Sequence, residues 1–121
     1  MQTMLAQRRD PNLRAYFVWG PYLDADNAQT ARESASRYQA PNSAYYWTST
    51  PGLAQELASV LRLPGGRLAW DVYLLYRKGV LWETSFPIPA YWQRQLDILQ
   101  GDDFDITKME SRIQSFLGQM P

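Results

Sequence analysis

The nine residues "LAWDVYLLY" at 68–76 limit the fold more than any other stretch. Apolar side chains stand at both odd and even positions, so a strand here has two faces that avoid water, and Asp71 alone interrupts them. A strand that is apolar on both faces is a central strand, covered on each side by helices. The triplet Arg77-Lys78-Gly79 then turns the chain, and residues 80–84 are expected to return as the partner of a hairpin. Pro87 and Pro89 lack the N–H that further pairing would need.

Upstream of that strand the chain alternates. Residues 1–12 are a polar lead-in that stops at Asp10-Pro11, and residues 13–19, aromatic and β-branched, read as a buried strand broken by Gly20-Pro21. Asp24 or Asp26 is placed to cap a helix running to about Tyr38, with Ala28, Ala31, Ala35 and Tyr38 on its apolar stripe. Residues 43–48 form a second strand, and the β-α-β order implies that it lies parallel to the first. Thr50-Pro51 starts the next helix, lined by Leu53, Leu57, Val60 and Leu61 and stopped by Pro64-Gly65-Gly66.

Downstream, a helix is expected from Pro89 to about Leu99, with Trp92, Leu96 and Leu99 inward and Gly101 at its end. The run "DDFD" at 102–105 reads as a solvated loop leading into a last helix over about 105–117, with Phe104 and Met109 spaced as a hydrophobic staple. Its stripe of Ile106, Met109, Ile113 and Phe116 must dock on the domain or on a second copy, as a homodimer.

Chemistry is constrained by what is missing. Among 121 residues there is no cysteine and no histidine, which excludes disulfides, thiol redox chemistry, the usual zinc centres and a Ser-His-Asp triad. Any general acid or base is Asp, Glu, Lys or Tyr. The acidic residues form no calcium-loop pattern, so no metal and no cofactor is expected. Twelve basic and twelve acidic residues cancel without a basic stripe, so nothing points to nucleic acid or to an anionic membrane. No apolar run is long enough to span a membrane, and "MQTMLAQRRD" lacks the apolar centre of a secretory signal, so a cytoplasmic protein with no membrane partner is expected.

The element order resembles the thioredoxin-like fold, and two stretches carry the likeness. "FVWGPYLD" keeps the Gly-Pro of that family's strand-to-helix junction, with Trp19 and Tyr22 where its two cysteines stand. "WDVYLLYRKG" is similar to the family's cis-proline strand and hairpin, with Asp71 at the proline's place. The resemblance covers roughly residues 13–99. It implies a single α/β domain over 1–121, a three-layer sandwich around a mixed central sheet of about four strands with helices on both faces. It also implies a groove beside residues 19–24 and 70–71. The redox reaction does not carry over, because the Cys-x-x-Cys pair is absent.

Trp19, Tyr22, Asp24, Trp70 and Asp71 are therefore the candidate ligand-binding residues. Each has a plainer role. The aromatic residues fill cores, Asp24 caps a helix, and Asp71 accepts backbone N–H bonds from the loop at residues 20–23. Two functions follow. The first is a non-redox binding or interaction module for a protein, a peptide or a small apolar ligand. The second is a small enzyme using Asp71 or Asp24 as general acid or base, with Tyr22 as a donor.

Overall fold

The computed structural model describes residues 4, 5, 7, 10–20, 27–37, 42–83, 85–95 and 100–118. Its described residues are mixed α/β, with three complete helices and two small sheets of two and three strands. The strands thus divide between two sheets, where the sequence reading placed about four in one. The chain separates into two compact units, residues 1–51 and residues 52–121.

The first unit holds β1 (Ala15–Trp19), α1 (Ala28–Arg37) and β2 (Ser43–Trp47). The strands are parallel, as the β-α-β order implies, with Ala15 opposite Ser43 and Trp19 opposite Trp47. The pairing extends at both ends, where Ala15 N–H donates to the Asn42 carbonyl (3.1 Å) and Thr48 N–H to the Trp19 carbonyl (2.9 Å). Helix α1 is capped by Asn27, whose Oδ1 accepts the Thr30 N–H (2.9 Å) while Thr30 Oγ1 accepts the Asn27 N–H (3.1 Å). That reciprocal pair satisfies two N–H groups that the helix cannot. Asp24 and Asp26, expected as caps, fall outside the described residues, as does Tyr38.

Strand β1 is not buried on both faces, which corrects the reading of residues 13–19. It alternates, with Tyr16 and Val18 exposed and Ala15, Phe17 and Trp19 half-buried. The half-buried face carries a ladder in which the Phe17 ring stacks on Tyr45 at 5.1 Å and Trp19 on Tyr45 at 5.7 Å. On the exposed face Tyr16 stacks on Tyr46 at 6.5 Å.

The second unit begins with α2 (Gly52–Val60). Leu57 and Leu61 on this side of the chain join Ala69 in a core against which Leu53, Leu63, Val72, Leu74, Phe86 and Trp92 pack. The helix ends before the expected Pro64 stop. Leu63 N–H donates to the Ala58 carbonyl (2.9 Å) and Arg62 N–H to the Ser59 carbonyl (3.2 Å), with Arg62 at φ 57°. This is a Schellman closure with arginine in the left-handed position that glycine usually fills.

Three strands follow: β3 (Val72–Leu75), β4 (Tyr91–Arg94) and β5 (Asp102–Asp103), in the order β3-β4-β5. Here the structure corrects the sequence reading in four places. The strand expected over 68–76 covers only 72–75, because Ala69 sends its N–H to the Ala54 carbonyl (3.0 Å) and Asp71 has φ 57°, which no strand residue adopts. Residues 80–83 are not a strand. The antiparallel partner of β3 is instead β4, whose residues were expected in a helix. The run "DD" at 102–103 is a strand parallel to β4 rather than a loop.

Ladder bonds close both ends of the β3–β4 pair, from Ala90 N–H to the Leu75 carbonyl (2.9 Å) and from Gln95 N–H to the Asp71 carbonyl (3.1 Å). Leu96 and Leu99, expected to face inward from the same helix, fall outside the described residues. Gly101, expected at the end of that helix, turns the chain into β5 at φ 74°. A Cβ there would stand 2.8 Å from the Trp92 ring, so only glycine fits.

The last helix, α3 (Ile106–Gly118), is as read. Asp105 caps it, its Oδ1 accepting the Lys108 N–H at 3.0 Å. Met109 and Ile113 are buried within the single chain, and Ile106 and Phe116 are half-buried.

Candidate functional site

Asp71 is held at the end of β3 in a backbone conformation that L-residues avoid and that Asp tolerates better than most. The carboxylate is exposed rather than enclosed in an apolar strand. Across the ladder stands the Gln95 carboxamide; with its nitrogen assigned to the near side it lies 2.6 Å from Asp71 Oδ1 and 3.0 Å from Oδ2, as a donor. Partial burial pushes the carboxyl pKa up, and the two amide hydrogens act in the opposite sense by favouring the charged form. The phenol of Tyr73 is pushed up by its own burial and by the Asp71 charge, which places the two groups in one electrostatic neighbourhood. The Tyr73 ring packs on Phe104, with centroids 4.8 Å apart. Trp70, half-buried, precedes Asp71.

The structure thus gathers a carboxylate, a carboxamide and a phenol at one end of the β3–β4 pair. Of the expected site residues, Trp70 and Asp71 stand next to each other in the chain at the start of β3. Trp19 belongs to the first unit, in the stacked ladder of β1 and β2. Tyr22 and Asp24 fall outside the described residues, as do residues 21–23 of the loop expected to donate to Asp71. Gln95 and Tyr73 were not anticipated. The signal for Gln95 was the alternation "YWQRQ", which a helical reading of residues 89–99 conceals.

A second polar cluster joins β4, β5 and α3. Gln93, fully buried, donates from Nε2 to the Tyr91 hydroxyl (2.9 Å) and to the Asp105 carbonyl (2.9 Å), and its Oε1 accepts the Asp105 N–H (3.1 Å). The Tyr91 hydroxyl donates to Asp102 Oδ2 (3.0 Å), which also pairs with Lys108 (2.7 Å). Hydrogen bonds from Lys108 and Tyr91 pull the Asp102 pKa down, and the same pairing raises that of Lys108. The Arg112 guanidinium lies over the Tyr91 ring at 4.9 Å. Every group in this chain of bonds is spent on another, so its work is to fasten the start of α3 to the sheet.

A shallow open depression of about 300 Å³ lies elsewhere in the second unit, lined by residues that include Gln55, Ser59, Leu63, Gly66 and Arg67. It includes none of the expected site residues. Among the described residues no three acidic side chains are grouped to hold a metal ion, and no helix is long and apolar enough to cross a membrane. Comparison of the chain with protein-family models, with curated proteins and with solved structures finds no match.

Proposed function

We propose that this chain is a non-redox, thioredoxin-like binding module of the cytoplasm whose ligand is a protein or peptide segment engaging the surface at Trp70, Asp71, Tyr73 and Gln95. The observation that carries this reading is Asp71 itself. A charged, exposed side chain stands at φ 57°, next to Trp70 in the chain and across the ladder from an amide within reach of both of its oxygens. Strained positions of this kind gather at ligand sites, where the conformation aims a side chain. The amide and carboxylate together offer the donor and acceptor that a peptide backbone needs, and the indole offers an apolar flank.

The test is selection of peptides from a random displayed library on the full chain, followed by titration of the selected sequences against variants. Asp71→Gly keeps the backbone conformation and removes the carboxylate. Trp70→Ala removes the apolar flank. Loss of binding in both, with unchanged melting of Asp71→Gly, supports the site. Peptides that bind both variants as tightly as wild type refute it.

A further inference from the structure

The loop over residues 77–88 joins β3 to β4 and displays its apolar side chains outward. Leu81 is 70% exposed and Ile88 76%, with Val80 at 41% and Trp82 at 42%. The loop is braced from behind. Trp82 meets Tyr76 edge-on at 5.8 Å and packs on Phe86 at 4.9 Å, while the Tyr76 hydroxyl donates to the Pro87 carbonyl at 3.1 Å. At its base stand Arg77 and Lys78, both exposed, with the Arg77 guanidinium over the Phe116 ring at 4.3 Å. Glu83, exposed next to Trp82, is the loop's single acid, so the loop carries two basic side chains at its start against one acid in a chain whose total charge is zero.

We propose that this loop docks on an anionic lipid surface, with Leu81 and Ile88 in the acyl boundary, Trp82 at the headgroup level and Arg77 and Lys78 against lipid phosphates. Charge decides the occupant. Lysine is depleted from protein–protein interfaces, whereas aliphatic tips flanked by tryptophan and basic residues match the graded polarity of a membrane interface. A fluid boundary also accepts protruding side chains that have no complementary groove. The expectation of no membrane partner rested on the missing span and on the lack of a basic stripe; a loop lying in the interface needs no span, and its charge comes from Arg77 and Lys78 alone.

The test is co-sedimentation of the full chain with phosphatidylcholine vesicles, with and without phosphatidylserine. Wild type is expected to bind the phosphatidylserine vesicles more tightly, with affinity falling as salt rises. Leu81→Ser with Ile88→Ser should weaken binding at least about tenfold without adding charge. Lys78→Ala should weaken it about fivefold, and only on the anionic vesicles. Both sets change exposed side chains, and unchanged melting confirms that the fold survives. If the double variant fails to fold, Leu81→Ser alone is read. No binding to anionic vesicles, equal binding to neutral ones, or binding indifferent to these substitutions overturns the proposal. So does a concentration-dependent dimer that the double variant dissolves while neither protein binds vesicles.

Discussion

Asp71 allows a backbone contribution to be separated from a side-chain one. Alanine in the left-handed region costs about 1–2 kcal/mol, and glycine costs nothing there. Asp71→Ala should therefore destabilise by up to about 1 kcal/mol in chemical denaturation, because aspartate already bears part of that strain. Asp71→Gly should leave stability nearly unchanged, because an exposed hydrogen bond to Gln95 is worth little. Equal losses in the two variants would show that the carboxylate, not the backbone, matters. Arg62, at φ 57°, gives the complementary case, and Arg62→Gly should raise stability by up to about 1 kcal/mol. Gly101→Ala should lower it by about 1–3 kcal/mol, since the new methyl meets the Trp92 ring as well as a positive φ of 74°.

The two shifted carboxylates act in opposite directions with pH. Asp102 has its native pKa below the ordinary carboxylate value of 3.8, so its contribution is complete above that value and disappears as pH falls through the lowered native one. Asp71 is raised instead, so its ionisation opposes folding at neutral pH and that opposition is relieved as pH falls. Asp102→Asn should accordingly flatten the acid side of the stability curve. Asp71→Asn should remove a small rise toward mild acid. A stability–pH curve unchanged by Asp102→Asn would mean that the Lys108 and Tyr91 bonds do not persist in solution.

At the scale of elements, the parts written by local chemistry were legible. Helix α3 announced itself through Asp105, the four-residue spacing of Met109 and Ile113, and the stripe ending at Phe116. The β-α-β order of the first unit likewise gave its parallel pair. Strand β4 did not, because Tyr91, Trp92 and Gln93 follow two prolines that also suit the start of a helix, and Trp92, Leu96 and Leu99 fall at helical spacing. What decides for a strand lies far along the chain, in Leu75 and Asp71 as ladder partners and in Asp105 as the partner of Gln93. The cost of that arrangement is a buried amide, and its consequence is testable. Gln93→Leu preserves volume but strips the Asp105 N–H and carbonyl and the Tyr91 hydroxyl of a partner. It should cost at least about 2 kcal/mol and speed amide exchange in the first turn of α3. A variant as stable as wild type would show that water or relaxation replaces the amide without penalty.

For the whole molecule, the order of strands along the chain did not reveal which sheet each would join. "LAWDVYLLY" reads as a central strand because both of its faces are apolar, yet nothing in those nine residues names a neighbour. The outcome is two sheets in two units, and the units differ in what they hold. Residues 52–121 contain the core of Leu57, Leu61 and Ala69, a three-stranded sheet, and the Gln93 bonds that tie β4 to α3. Residues 1–51 contain a two-stranded sheet that leaves Tyr16, Val18 and Tyr46 exposed on one face. Three strands with an apolar face and a covering helix reach independent stability, whereas a two-stranded sheet is marginal by itself. A fragment of residues 52–121 should therefore give dispersed amide resonances and a cooperative thermal transition, while residues 1–51 alone should give neither. A fragment of 52–121 that is collapsed and melts without cooperativity would overturn this and make the first unit a requirement for folding the second.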